Sequence, residues 1–193
     1  DNFISTHTLT WSVTQGKSDA ATSIAISTHT LTWSVTDSRE QKWGHIEKAL
    51  KATETPYTQH KLNYGDYTCE AVKPNSEPVS LAQSVVIERK ANLDEIVGNF
   101  TKGRERFDRE FKRSVEDHAK VFLMVEDDRL WENILLHNYR SKMPPKALLA
   151  TFCSWQARYN ITIIACRKQE SGTLIKAILY YALRDYLQKL DGD

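Results

Sequence analysis

Apolar residues recur along the chain with different spacings, and the spacing separates strands from helices. The unbroken apolar run VFLMV at 121–125 is typical of a strand buried on both faces, and ITIIA at 161–165 predicts another buried strand. Alternating segments predict further strands, and apolar residues three or four apart predict amphipathic helices. The predicted strands are 31–35, 57–62, 66–72, 84–88, 121–125 and 161–165; the predicted helices are 42–52, 93–100, 104–114, 129–136, one opened by Pro144-Pro145, and 173–190. This order predicts an α/β domain with a mixed central sheet flanked by helices.

An identical repeat precedes the first predicted helix. The eleven residues ISTHTLTWSVT occur at 4–14 and again at 26–36. A tandem duplication, an assembly error and a strand copied for a local reason are three open explanations. Only the second copy leads into the informative segment Asp37-Ser38-Arg39-Glu40-Gln41. We therefore treat 1–25 as an N-terminal appendage and 26–193 as the main domain.

Composition and charge narrow the class of protein. Apolar residues make up 40% and charged residues 26% of the chain, as in ordinary globular proteins. The net charge of +1 means that any nucleic-acid binding must come from local patches. No apolar run approaches the roughly 18 residues of a membrane span, and no signal peptide is evident. We expect an intracellular protein, in the cytoplasm or nucleoid of a bacterium or phage-infected cell, or in a eukaryotic nucleus.

Cysteine and histidine spacing indicates neither disulfides nor zinc. Cys69, Cys153 and Cys166 are scattered, which predicts free thiols. The six histidines have no ligand spacing and are expected to be structural or exposed.

Acidic residues and a lysine at strand ends carry the candidate chemistry. Glu88 and Lys90 lie two apart on one predicted strand and therefore project from the same face. Asp66 begins the preceding predicted strand and would join them if the two strands are neighbours. Two carboxylates can hold Mg²⁺ or Mn²⁺, which prefer oxygen ligands. A nearby lysine can orient or deprotonate a water, or stabilise a charged transition state.

The surrounding motifs are more specific. Gly65-Asp66 is followed by Glu88-Arg89-Lys90, then by Asp94, and the segment 37–41 reads D-S-R-E-Q. Together they resemble the nuclease domain of XPF-type (ERCC4-like) structure-specific endonucleases, within the PD-(D/E)xK superfamily. The resemblance runs from about 31 to about 190 and implies a restriction-endonuclease-like fold. A tandem helix-hairpin-helix signature does not follow the last helix, so the resemblance is to the nuclease domain alone or to a compact member like those of phages and bacteria.

The resemblance implies a role for each matching residue. Asp66 and Glu88 would bind the metal, with Asp37 as a further ligand or water-mediated contact. Lys90 would act on the water or the transition state, and Arg89 and Asp94 would position the site. Arg39 would reach a phosphate. Capping and ion pairing remain the alternative for Asp37, Arg39 and Asp94.

A basic run begins beside these motifs. Arg104 and Lys102 are the favoured DNA contacts, because Arg104 opens a predicted helix. The alternative is a solvated helix with ion pairs four residues apart. The other basic residues of this run are Arg106, Arg109, Lys112 and Arg113.

Aromatic residues on the predicted helices raise questions of packing and assembly. Trp131 and Trp155 are predicted to lie in the core. Tyr180, Tyr181 and Tyr186 could form a homodimer surface or pack against the domain's own sheet.

The leading hypothesis is an endonuclease dependent on Mg²⁺ or Mn²⁺ that cuts branched or flapped DNA in repair, recombination or replication. One alternative is a non-catalytic DNA-binding or heterodimer partner, which usually lacks the acids retained here. Another is a restriction-type or junction-resolving PD-(D/E)xK nuclease.

Overall fold

A computed structural model describes residues 35–71, 78–102 and 104–191. The side chains of Val35, Asn99, 101–107 and Asp191 lie outside the description. The described elements, in chain order, are β1 (Val35–Asp37), α1 (Gly44–Ala52), β2 (Thr58–His60), β3 (Tyr67–Thr68), β4 (Glu70–Ala71), β5 (Val79–Ser80), β6 (Val85–Lys90), α2 (Leu93–Lys102), α3 (Arg104–Glu116), β7 (Lys120–Val125), α4 (Leu130–Leu135), α5 (Pro145–Arg158), β8 (Ile161–Ala165) and α6 (Ser171–Asp191).

Most predicted elements are confirmed to within a few residues, but one predicted strand forms two separate strands. The predicted strand 66–72 separates into β3, which pairs with β6, and β4, which pairs with β5 in a small second sheet. Alternation alone cannot show that a strand changes partner, because both halves keep the same period. The appendage 1–25 lies outside the described residues, and of the predicted strand 31–35 only residue 35 lies inside them.

The central sheet is mixed and has six strands in the order β2-β1-β3-β6-β7-β8. β1 runs parallel to β2 and antiparallel to β3, and β3 runs antiparallel to β6. β6, β7 and β8 are mutually parallel. β7 is mostly buried, which fits its unbroken apolar run, whereas β8 lies at the edge of the sheet and only Ile161 of it is fully buried, so the prediction that β8 is a buried strand is wrong. The prediction of a mixed sheet flanked by helices is therefore confirmed.

The sheet separates two hydrophobic cores. One core contains Val86 of β6 and the apolar faces of α2, α3, α4 and α5. The other contains Ile87 of β6 and the apolar faces of α1 and α6. Because side chains alternate along a strand, Glu88 and Lys90 share the face of Val86, whereas Arg89 shares the face of Ile87. Neighbours in sequence thus lie on opposite sides of the sheet.

Packing decides whether the aromatic side chains of the helices are buried or exposed. Trp155 is buried, as predicted, but the prediction for Trp131 is wrong because that side chain is 40% exposed. Tyr180 and Tyr186 pack on the α1/α6 core, whereas Tyr181 is exposed beneath the guanidinium of Arg184.

All three cysteines are free, with Cys153 exposed and the other two buried. In the described part of the chain, no helix has the length and apolar character needed to cross a bilayer.

Gly65 adopts a backbone conformation that other residues avoid. Its φ is +73°, and a Cβ atom there would lie 2.8 Å from Cβ of Val86. We expect Gly65→Ala to lower the free energy of unfolding by about 2 kcal/mol, because the left-handed conformation alone costs roughly 1–2 kcal/mol. Urea denaturation measures the change.

Gly98→Ala is the matched control. Gly98 is exposed within α2, and an added Cβ meets nothing within 4 Å. We expect this variant to gain about 0.5–1 kcal/mol. Equal stability of Gly65→Ala and the wild type would contradict the strain at Gly65.

Candidate active site

The junction of β1, β3 and β6 brings the predicted acidic residues into one row. Tyr67 pairs with Ile87 across β3 and β6, and the amide of Asp66 donates to the Ile87 carbonyl at 2.8 Å. The amide of Asp37 donates to the Asp66 carbonyl at 2.7 Å. Because directly opposed residues of antiparallel strands share a face, Asp37, Asp66 and Glu88 follow one another across the sheet. The expected adjacency of the strands bearing Asp66 and Glu88 is confirmed.

Asp66 is half-buried at the start of β3. Its Oδ2 accepts a hydrogen bond of 2.7 Å from the amide of Arg89. Burial, and then the charge of Glu88, raise the pKa of Asp66 well above its usual range, although Lys90 opposes the shift. The two carboxylates therefore repel each other when both are charged.

Glu88 and Lys90 form a buried ion pair on the same strand face. Nζ of Lys90 lies 2.5 Å from Oε1 of Glu88. Burial disfavours the ammonium, but the charges of Glu88 and Asp66 outweigh it and raise the pKa of Lys90 above its usual range. The neighbouring carboxylates thus favour the ammonium form of Lys90, which can stabilise negative charge.

The donor chemistry of this site fits a hard divalent cation. Within the described ranges no cluster of three or more His, Cys, Asp or Glu side chains forms a ready cage. Mg²⁺ is commonly held by only one or two carboxylates, with water and substrate phosphate completing its shell. A cation between Asp66 and Glu88 would also remove the repulsion that raises the pKa of Asp66. The residues present thus fit Mg²⁺ or Mn²⁺.

The carboxylate of Asp37 accepts hydrogen bonds from Arg39, in the loop that follows it, and from Leu62. Nε and Nη2 of Arg39 donate to it, as do the amides of Arg39 and Leu62 at 2.7 and 3.2 Å. Burial raises the pKa of Asp37, but these hydrogen bonds outweigh that effect and lower it overall. In this structure Asp37 therefore forms an ion pair with Arg39, and its role in metal binding stays a prediction.

Arg39 lies beside the acidic row. Its Nη2 also donates to the Leu62 carbonyl at 3.1 Å, and more than half of the side chain is exposed. Nη1 takes part in none of these bonds, so the same guanidinium has a group left for a phosphate.

Arg89 lies on the other side of the sheet from Glu88 and Lys90. Its Nε and Nη2 donate to the two oxygens of Glu126, at 2.9 and 2.6 Å. Its Nη1 lies 3.4 Å from Oε1 of Glu40. The predicted positioning role therefore falls to the backbone amide that contacts Asp66, with the guanidinium anchored elsewhere.

Asp94 lies at the first turn of α2. Its Oδ1 accepts a hydrogen bond of 2.7 Å from the amide of Arg140, and the Arg140 guanidinium is nearby. The start of the helix is held by its neighbours, because Asn92 accepts the amide of Glu95 and Glu95 accepts the amide of Ala91. Glu95 also lies 4.0 Å from Nζ of Lys90. Thus Glu95, and not Asp94, approaches the lysine.

Several residues near the site were not singled out by sequence reasoning. Glu95 had a readable signal, because Asn92 precedes it by three positions in a capping pattern. Glu110 of α3 lines a pocket together with Tyr64 and Glu88. His45 of α1 lies 2.5 Å from Glu126. The last two contacts, those of Glu110 and His45, depend on packing between distant elements, for which the sequence carries no local signal.

The predicted DNA contacts are only partly described. The backbone of Lys102 ends α2 and that of Arg104 begins α3, but their side chains lie outside the described residues. Farther along α3, Nη1 of Arg113 donates to the Asn63 carbonyl at 3.5 Å. Lys61 and Lys112 are exposed nearby in sequence. α3 thus reaches the loop that also contacts Arg39.

The fold and the acidic pair with its lysine define an α/β nuclease domain. The model of the ERCC4 domain family matches residues 36–178, and this chain therefore belongs to that family of structure-specific nucleases. XPF from Aeropyrum pernix has a similar fold, with a TM-score of 0.57 and 18% identity, over 79% of this chain and 69% of that one. A comparison with curated proteins found no match.

Proposed function

We propose that this chain is an endonuclease, dependent on Mg²⁺ or Mn²⁺, that hydrolyses phosphodiester bonds near branch points or flaps in DNA. The carrying observation is the convergence of Asp66, Glu88 and Lys90 on one face at the β3–β6 junction. Such an enzyme would act inside the cell in repair, recombination or replication.

Each residue of the candidate site would have a role that follows from its chemistry. Asp66 and Glu88 would hold the cation, which when bound supplies Lewis-acid stabilisation and a more acidic water. The ammonium of Lys90 would lie against the oxygens on which charge develops during cleavage. The Arg89 amide orients Asp66, and Arg39, held by Asp37, would bind a phosphate with its remaining Nη1 group.

Positive side chains beside this site would guide the DNA. We propose that Arg39 and the start of α3, where Lys102 and Arg104 lie, contact the backbone of the substrate. The loop at 61–63 contacts Arg39 through Leu62, and it contacts Arg113 in the last turn of α3 through Asn63. Homodimer formation stays a prediction, with the exposed Tyr181 and Leu190 of α6 available for contact.

A panel of labelled flap, fork, gap and four-way-junction DNAs tests the function. In Mn²⁺ or Mg²⁺ we expect at least one branched DNA to be cut about tenfold faster than linear duplex of the same sequence, a difference of about 1.4 kcal/mol in barrier. Chelation of the metal should stop cleavage.

Other outcomes of the panel point to other functions. Binding to branched DNA without any metal-dependent cleavage would replace the proposal by a non-catalytic partner role. Symmetric cuts in the four-way junction would indicate a resolving nuclease, and preference for a linear sequence would indicate a restriction-type enzyme.

A further inference from the structure

Glu126 is a buried acid that the proposed chemistry does not use. It directly follows β7, and its side chain is 1% exposed. Both of its oxygens accept from the Arg89 guanidinium, itself 3% exposed, at 2.9 and 2.6 Å. A two-point pair of this kind fixes the plane of the guanidinium as well as its position.

Further contacts fix Glu126 itself. Its backbone amide donates to the carbonyl of Lys90 at 2.9 Å, so the residue is joined to β6 through both side chain and main chain. Nε2 of His45, from α1, lies 2.5 Å from Oε1. Glu40, from the loop after β1, lies against the same guanidinium. Glu126 thus joins the α1 face to the strand that carries the candidate site.

Arg89 connects this cluster to the metal site across the sheet. Its side chain lies on the α1 side with Glu126, while its amide donates to Oδ2 of Asp66 at 2.7 Å. Displacement of the backbone at Arg89 would move that amide away from Asp66. The anchored guanidinium opposes such a displacement, because Nε and Nη2 are held by Glu126 and restrain the position of the Arg89 Cα–Cβ bond.

We infer that Glu126 is a positioning residue, which holds Arg89 so that the Arg89 amide orients the Asp66 carboxylate for a divalent cation. The inference rests on the proposed function. It places an outer partner of the metal site on the opposite face of the sheet, two strands away from Asp66. Outer partners of this kind typically change metal affinity by about 10–100-fold when they are removed.

Mn²⁺ binding, followed by the electron paramagnetic resonance signal of free Mn²⁺, tests the inference without any cleavage. Glu126→Gln keeps the shape of the side chain but removes its charge. We expect its dissociation constant for Mn²⁺ to rise about tenfold or more. Glu170→Gln is the matched control, since Glu170 forms an exposed pair with Arg167, and it should bind as the wild type does.

A second variant keeps the test decisive if Glu126→Gln does not fold. Arg89→Lys retains the charge but loses the two-point geometry, because an ammonium has no planar fork. It should also weaken Mn²⁺ binding by about tenfold. Unchanged Mn²⁺ affinity in a folded Glu126→Gln or Arg89→Lys protein would overturn the inference.

Kinetics separate positioning from general loss of structure. The Mn²⁺ concentration for half-maximal cleavage should rise in Glu126→Gln, while the rate at saturating Mn²⁺ recovers to within about threefold and KM for DNA is unchanged. A rate lowered equally at every Mn²⁺ concentration would mean that Glu126 serves stability alone, against the inference. If the wild type binds Mn²⁺ but cuts no DNA, the proposed function fails while the binding test still decides the inference.

Discussion

Asp66→Asn is expected to abolish metal-dependent cleavage while leaving the protein folded and no less stable. The amide cannot supply a negative oxygen to the cation, and we expect the same of Glu88→Gln. A bound metal ion contributes several kcal/mol of transition-state stabilisation. A loss of about 4 kcal/mol corresponds to about a thousandfold in rate. Cleavage of the best branched DNA in Mn²⁺ measures it.

The expected stability of Asp66→Asn follows from the pKa of Asp66. Burial and the charge of Glu88 raise it, so above pH 4 the folded protein holds this proton more tightly than the unfolded chain does. Its charge therefore lowers stability as pH rises through the raised pKa. Asparagine carries no charge and so avoids this loss of stability. Without metal at pH 7, the Asp66→Asn protein should therefore melt at or above the temperature at which the wild type melts.

Asp185→Asn provides the matched control for the same chemical change. Asp185 forms an exposed pair with Lys189 on α6, remote in sequence from the acidic row. We expect wild-type cleavage, since exposed pairs contribute about 0–1 kcal/mol. Undiminished cleavage by Asp66→Asn would refute the site, and loss of folding would leave Glu88→Gln to decide it.

Lys90→Met is expected to slow cleavage by about a hundredfold to a thousandfold, the usual effect of removing one stabilising donor from a transition state. Mn²⁺ binding should stay the same or become tighter, because a positive charge 2.5 Å from Glu88 is removed. Methionine retains much of the apolar stem and so limits the packing change. The cleavage rate at saturating Mn²⁺ and the Mn²⁺ dissociation constant are the two measurements.

Lys189→Met, at the exposed Asp185 pair, is the control for loss of a lysine charge. It should cut and bind Mn²⁺ as the wild type does. If Lys90→Met binds Mn²⁺ more weakly and regains full rate when Mn²⁺ is raised, Lys90 acts through the metal and not on the transition state.

Local sequence patterns predicted the helices and strands because buried positions in this chain recur every two residues in strands and every three or four residues in helices. The apolar runs at 121–125 and 161–165 became β7 and β8, and the period of two correctly placed Glu88 and Lys90 together. The same period also placed Arg89 on the opposite face, although motif similarity alone groups it with its neighbours. Trp131 shows the limit, since an apolar helical face does not reveal whether another element covers it.

The amino-acid sequence by itself determined the order of elements, the mixed α/β class and the residue types needed for a two-carboxylate site with a lysine. Only the tertiary structure decided which acids meet. The β1–β3 and β3–β6 pairings place Asp37, Asp66 and Glu88 in one row, in which Asp37 is paired with Arg39, whereas Asp94 contacts Arg140 instead. Strand pairing and long-range ion pairs join residues far apart in sequence, and local spacing cannot specify such contacts. The connection from Glu126 through Arg89 to Asp66 is of this kind, because it crosses the sheet.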